Sequence, residues 1–213
     1  MNEAGPDTAA PPTDRGRRRK EAILDAAADL FEARGFHGAS MDDLGAAAGI
    51  SGPGLYRHFA SKDALLMAVL DRIWTQLRPA VDRSSHLPPE EAIDALLGAH
   101  LDLALGQPAA LVLLVRELRH LPDDYRALAR RNHGRYVDAW ATAIRARHGH
   151  LDDAEARDVA MAIHGLIDSV AVRGQQRVRG RDRAQLAGLL ERLARGALDA
   201  AGRPTGSVAP TVG

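Results

Sequence analysis

Along most of the 213 residues, apolar side chains recur at every third or fourth position, and no segment alternates apolar with polar at every second one. That period belongs to helices rather than strands, so the chain reads as all-α. Within 17–34, Ile23, Ala27, Leu30 and Phe31 share one stripe, while Asp25, Asp29 and Glu32 face the other way. Gly35 follows as the expected stop, because glycine adopts the left-handed backbone on which helices commonly end. Ser40, with Asp43 three residues later, reads as the N-cap of a short helix over 41–48, which Gly49 ends. Ser51 caps a helix over 52–59, and Ser61 caps a longer one over 62–77 that Pro79 is expected to terminate. After Pro88 and Pro89 the helices lengthen, over 90–105, 108–120, 123–148, 153–173 and 182–200. Residues 1–14 and 201–213 are small, polar and proline-containing, and are expected to be disordered tails. The organisation predicted is a small helical module over 15–62 followed by a helical bundle over 63–200.

One stretch breaks the pattern. Gly49, Gly52, Pro53 and Gly54 crowd together before an aromatic and basic run, Tyr56-Arg57-His58-Phe59. Glycine costs a helix interior about 1 kcal/mol against alanine, and proline about 3. A tight turn at Gly49 between two short capped helices explains most of the crowding, and that layout is a helix-turn-helix. Leu44, Ala47, Ile50, Leu55 and Phe59 would fix the angle between the two helices. The second helix would then enter a major groove of DNA. An ordinary helical hairpin shares the same spacing.

The residues themselves point further. Ile23-Leu24-Asp25-Ala26-Ala27, Leu30-Phe31 with Gly35-Phe36, Ser40-Met41-Asp42-Asp43-Leu44, Ala47 with Gly49-Ile50-Ser51, and Leu55-Tyr56-Arg57-His58-Phe59 with Ser61-Lys62 follow one another in order. Over 17–70 this run resembles the N-terminal domain of the TetR family of bacterial transcription regulators. The resemblance implies a three-helix DNA-binding domain and a C-terminal bundle that binds a small molecule and dimerises. Residues expected to meet DNA are Arg17, Ser40, Met41, Ser51, Gly52, Pro53, Gly54, Tyr56, Arg57, His58 and Lys62. Ser40 and Lys62 would serve phosphate, and the segment from Ser51 to Gly54, with Arg57, the bases. Gly54, lacking a side chain, would let the helix backbone approach the groove closely. Ahead of these, Arg15 to Lys20 reads as a flexible basic arm for the minor groove or backbone, or equally as a solvated charged terminus.

Charge adds nothing to this reading, because 28 basic residues balance 28 acidic ones. The absence of cysteine excludes disulfides, thiol catalysis and cysteine-bound zinc. No apolar run approaches the roughly 20 residues of a membrane span, and a cytoplasmic location without membrane contact is expected.

A helix-turn-helix dimer sets its recognition helices about 34 Å apart, so some surface must pair. The candidates are Val159, Ile163, Leu166, Ile167 and Val170 on one helix and Leu186, Leu189, Leu190 and Leu193 on the last. These stripes also suit an intramolecular core. Polar groups among apolar walls mark a candidate effector site: His100, Glu117, His120, Asn132, His133, Tyr136, Trp140, His164 and Asp168, with Leu103 and Leu114 as apolar lining. Arg126, Arg130, Arg131 and Arg135 pair at helical spacing and would suit an anionic group, as would Arg177, Arg179, Arg181 and Arg183. The function expected is a homodimeric repressor on a palindromic operator, released by a small, largely hydrophobic effector, an acyl-CoA being one possibility. No catalytic residue, metal ligand or cofactor is assigned. The rival reading is a di-iron-like enzyme: Glu117 and His120 form one Glu-x-x-His, which His164 and Asp168 would join, but no second such unit exists.

Overall fold

The computed structural model describes residues 14–172 and 183–203, with the side chain of Val172 left out. The expected disordered tails over 1–13 and 204–213, and Arg177, Arg179 and Arg181, lie outside the described residues. Asp14 and Ala201, each assigned to a tail, are helical. Every regular element among the described residues is helical.

Two compact units meet at the Val69–Leu70 bond. In the first, α1 (Asp14–Gly38) begins three residues earlier than its apolar stripe suggested. Gly35, at φ 72°, breaks its regularity where the stop signal stood, and Phe36 to Gly38 add a final turn beyond the break. That turn places the Phe36 ring 5.6 Å from Phe31, and both are buried. The arm expected to be flexible is therefore helix: Arg15 to Lys20 form the exposed first turns of α1, held there by the buried stripe that starts at Ile23. Helices α2 (Met41–Ala47) and α3 (Gly52–Tyr56) follow, joined by a turn in which Gly49 takes φ 66°. Helix α3 stops three residues short of Phe59, which folds back with its ring buried.

Helix α4 (Lys62–Ser84) starts at the Ser61 cap, where the Ala64 amide donates to Ser61 Oγ at 3.1 Å. Pro79 lies inside this helix and does not end it. Burial on both sides overrides the missing amide, since Leu77 and Ala80 are almost fully enclosed. The helix runs across the Val69–Leu70 division, so the boundary expected at 62/63 falls seven residues later. Lys62 belongs to the first unit by its own bonds, donating to the Ala39 carbonyl at 2.9 Å with its ammonium 4.5 Å from the Phe36 ring centre.

The second unit holds the rest of α4, then α5 (Pro89–Gly106), α6 (Pro108–Glu117) with a 3-10 turn at Leu118–His120, α7 (Asp123–Arg147), α8 (Asp153–Val172) and α9 (Arg183–Ala201). Helix α7 packs on α5 and α8, and α8 also packs on α5, α6 and α9. Trp140, Ile144, Ile163 and Ile167 are wholly enclosed at these contacts. Ion pairs clip the rim: Arg195 reaches Asp94 at 2.7 Å, and Arg147 reaches Glu90 at 2.9 Å and Asp199 at 2.8 Å. Among the described residues no single helix is long and apolar enough to cross a membrane; α5 and the segment after it pass together only as a pair bent by 88°.

Candidate nucleic-acid interface and ligand cavity

The angle between α2 and α3 is set by backbone proximity. A Cβ added to Gly45 would lie 3.0 Å from the Gly52 nitrogen and the Ile50 carbonyl oxygen. The Ile50 amide donates back to the Gly45 carbonyl at 2.9 Å. Both helix starts are capped. Ser40 Oγ accepts from the Asp43 amide at 3.1 Å, and the Ser40 amide and hydroxyl donate to Asp43 Oδ2 at 3.1 and 2.5 Å. These bonds, with Arg34 beside it, hold the Asp43 carboxyl below its usual range. Ser51 Oγ accepts from the Gly54 amide at 3.2 Å.

This arrangement sorts the residues expected at DNA. Ser51, Pro53, Arg57 and His58 are exposed on α3 and its flanks, and Tyr56 presents 55% of its surface. Arg17 is exposed on α1, where it pairs with Asp14 at 2.6 Å. Gly52 and Gly54 are turned inward and buried. A Cβ on Gly52 would overlap the Asp42 carboxylate, and one on Gly54 would press on Ser51 Oγ at 3.1 Å. The close approach these glycines permit is to their own domain, which corrects the expectation that Gly54 lets the backbone meet a groove. Ser40 is likewise engaged: its amide and hydroxyl hydrogens go to Asp43, so the hydroxyl offered to phosphate is already committed. Met41 is half-buried beside it. The start of α1 is tied to the turn, because Arg19 Nη2 donates to the Gly49 carbonyl at 3.1 Å.

In the second unit, five helices enclose a cavity of about 270 Å³. Ile73, Trp74 and Leu77 of α4 form one wall, and His100 and Leu103 of α5 another. Leu111, Leu114 and Val115 come from α6, His133 and Tyr136 from α7, and Met161, His164, Gly165 and Asp168 from α8. Seven of the eleven residues expected at an effector site line it: His100, Leu103, Leu114, His133, Tyr136, His164 and Asp168. Trp140 sits behind them, fully buried, with its ring edge-on to Tyr136 and His164. Asn132 lines a separate pocket of about 30 Å³ instead. Glu117 and His120 pair with each other at 3.8 Å and do not line the cavity, because the helix ends at Glu117 and His120 falls on the following 3-10 turn. Trp74 and Met161 are among the lining residues that were not expected there. Trp74 and Met161 read in the sequence as ordinary members of apolar stripes, which carry no sign of facing a hollow.

The polar end of the cavity is a connected set. His100 Nδ1 lies 2.9 Å from the Tyr136 hydroxyl, and Nε2 lies 3.1 Å from Asp168 Oδ1. An ionised Asp168 can only accept, so His100 donates from Nε2 and, when neutral, receives the Tyr136 proton at Nδ1. His164 stacks 4.6 Å from His100 and 5.0 Å from Tyr136. Burial first, then the neighbouring histidines, push the His164 pKa down to about 2, so this ring stays neutral. Burial also raises the Tyr136 hydroxyl well above its usual value. Among the described residues no group of three His, Asp or Glu side chains is placed to hold a metal ion. The four residues of the di-iron reading are split, with His164 and Asp168 on the cavity and Glu117 and His120 off it.

Of the arginines read as anion holders, Arg126 is occupied by Asp123 and the Arg119 carbonyl, and Arg130, Arg131 and Arg135 are exposed. Of the nine residues expected at a dimer face, Ile163, Ile167, Leu186 and Leu190 are buried within the single chain, because α8 and α9 turn those edges inward. Leu189 and Leu193 stay 38% and 49% exposed, and Val159, Leu166 and Val170 are half-buried.

Residues 23–69 match the family model of bacterial regulatory proteins of the tetR family. Residues 86–172 match that of tetracyclin repressor-like C-terminal domains. The chain is 48% identical over 54 residues to the transcriptional activator FasR of Mycolicibacterium smegmatis, a quarter of each protein. It is 35% identical over 103 residues to the transcriptional regulator RutR of Escherichia coli K12, 47% of this chain and 48% of RutR. It thus spans between a quarter and a half of the length of these curated relatives. The crystal structure of AibR, in complex with isovaleryl coenzyme A and operator DNA, superposes with a TM-score of 0.62 at 24% identity, over 81% of this chain and 96% of AibR. That likeness extends the shared fold across both units. With both family models matched in order over more than half of the residues, and a capped helix-turn-helix where the first of them lies, the chain belongs to the TetR family of DNA-binding transcriptional regulators.

Proposed function

We propose that this regulator is a cytoplasmic homodimeric repressor, seated on a palindromic operator through α3 and released when a small molecule fills the 270 Å³ cavity. The observation that carries the DNA half is the exposed ridge of Ser51, Pro53, Tyr56, Arg57 and His58 on a rigidly capped hairpin. Tyr56 and His58 contact phosphate, while Ser51, Pro53 and Arg57 meet base edges. Lys62 adds its remaining ammonium hydrogens and Arg17 its guanidinium. Ser40 and Met41 approach the backbone at the start of α2, and Gly52 and Gly54 act by letting α3 pack closely within its own domain. The cavity half rests on the hollow between five helices and its ordered polar end. AibR, bound to both an operator and a small molecule, is a precedent for one protein using both sites. Leu189 and Leu193, with Leu166, form the pairing face. An effector that binds better to a dimer state with mismatched groove spacing draws the population there.

FasR is named an activator, so the sign of regulation is tested separately, with a reporter placed behind the selected operator. The primary test is selection from random duplex DNA, followed by competition with candidate effectors. Enrichment of a palindrome is expected; recovery of no palindromic site overturns the operator reading.

A further inference from the structure

The cavity's charge inventory narrows its occupant, an inference that rests on the proposed effector site. None of the described residues lining it is lysine or arginine. The one carboxylate is Asp168, whose side chain keeps 35% of its surface open. Oδ1 is taken by His100, and Oδ2 carries no hydrogen bond among the described residues. His164 is held neutral by burial, and burial likewise lowers the pKa of His133. In either protonation state of His100, the His100–Asp168 pair sums to zero or to minus one. Arg78 and Arg135 line a neighbouring pocket of about 30 Å³, and Arg135 also lines a separate pocket of about 620 Å³; neither residue lines this cavity. An anion entering the 270 Å³ cavity would shed its hydration with no cation among the described lining residues to replace it.

We infer that the cavity takes a small amphiphile whose polar end is a hydrogen-bond donor, best a protonated amine, held by Asp168, and that it rejects carboxylates and acyl-CoA thioesters. Size agrees with this class. A cavity of roughly 150 Å³ holds benzene, whereas drug-sized ligands occupy roughly 300–1,000 Å³. The volume here suits about ten heavy atoms. Such an apolar body lies against Leu103, Leu111, Leu114 and Leu77. Charge-assisted bonds to a carboxylate are about twice as strong as neutral ones, which favours an ammonium over a hydroxyl.

The test uses the full chain and four probes of one acyl length: octylamine, 1-octanol, octanoate and octanoyl-CoA, with binding measured by calorimetry and by tryptophan fluorescence. Octylamine is expected to bind tightest, 1-octanol next, and the two anions at least about tenfold more weakly, a difference of about 1.4 kcal/mol. Asp168→Asn keeps an oxygen for His100 while removing the charge. It is expected to weaken octylamine about tenfold and leave 1-octanol nearly unchanged. Asp168→Glu, which keeps the charge, retains the amine preference and guards against a folding defect in the first variant. Tighter binding of octanoate or octanoyl-CoA than of octylamine, or an unchanged octylamine affinity in Asp168→Asn, overturns the inference. Leu103→Trp, which fills the hollow, separates the two levels. If it abolishes binding of an anion that the wild type prefers, the cavity stands and the charge assignment falls. If no probe binds the wild type, or binding is indifferent to Leu103→Trp, the effector site itself is wrong, and the inference with it.

Discussion

Gly45 sits where the backbones of α2 and α3 leave no room for a methyl group. Alanine there gains about 1 kcal/mol in helix propensity, yet its Cβ would meet backbone atoms at 3.0–3.1 Å that cannot swing aside. Overpacking typically costs about 1–3 kcal/mol. Gly45→Ala is therefore expected to lower the melting temperature of the full chain and to weaken operator binding; an unchanged melting curve would show that the hairpin yields. Gly52 differs, because the obstacle is the end of the Asp42 side chain, which can rotate. His164 makes the second residue-level prediction. Its folded pKa is depressed, so below about 6.5 the unfolded chain binds a proton that the folded ring refuses. This contribution is whole above pH 6.5 and is lost as pH falls towards the folded value of about 2. The slope approaches about 1.4 kcal/mol per pH unit for one group. Urea unfolding at pH 7, 6 and 5 should show stability falling with acid. His164→Gln should flatten that fall by close to one proton, while an identical slope in the variant removes His164 as its cause.

At the scale of elements, α4 shows tertiary burial overriding a local signal. Pro79 removes an amide from the helix interior, yet the helix continues to Ser84 with Leu77 and Ala80 enclosed around it. The proline itself is exposed, so its replacement leaves packing intact. Pro79→Ala is expected to stabilise the chain by about 2–2.5 kcal/mol, the interior proline penalty of about 3 less the roughly 0.4–1 of entropy that proline removes from the unfolded chain. Thermal unfolding reads this directly, and a lower melting temperature would mean that the proline serves the native backbone. Helix α1 carries the opposite lesson. Its first turns hold no apolar stripe and looked like a loose arm, but they extend a helix whose buried face begins at Ile23, and Arg19 fastens them to the Gly49 turn.

At the scale of the whole molecule, the proposed reading of a palindrome needs two copies, and the pairing face proposed is what the single chain leaves apolar. On α9 that is Leu189 and Leu193, one turn apart. Leu189→Asp with Leu193→Asp is expected to shift the protein to a monomer in sedimentation analysis and to reduce operator affinity by at least tenfold, since each half-site would then bind alone. A dimer surviving both changes would place the pairing face elsewhere. The sequence by itself determined the helical class, the caps at Ser40, Ser51 and Ser61, the turns at Gly35 and Gly49, and the family, because each depends on residues within a few positions of one another. It also singled out His100, Tyr136, His164 and Asp168 as polar groups among apolar neighbours. Only the tertiary structure decided that these four converge while Glu117 and His120 do not, that Gly45 is walled in by backbone, and which edge of each leucine stripe stays outside. Those are facts about which face meets which, and a helical repeat states only that a face exists.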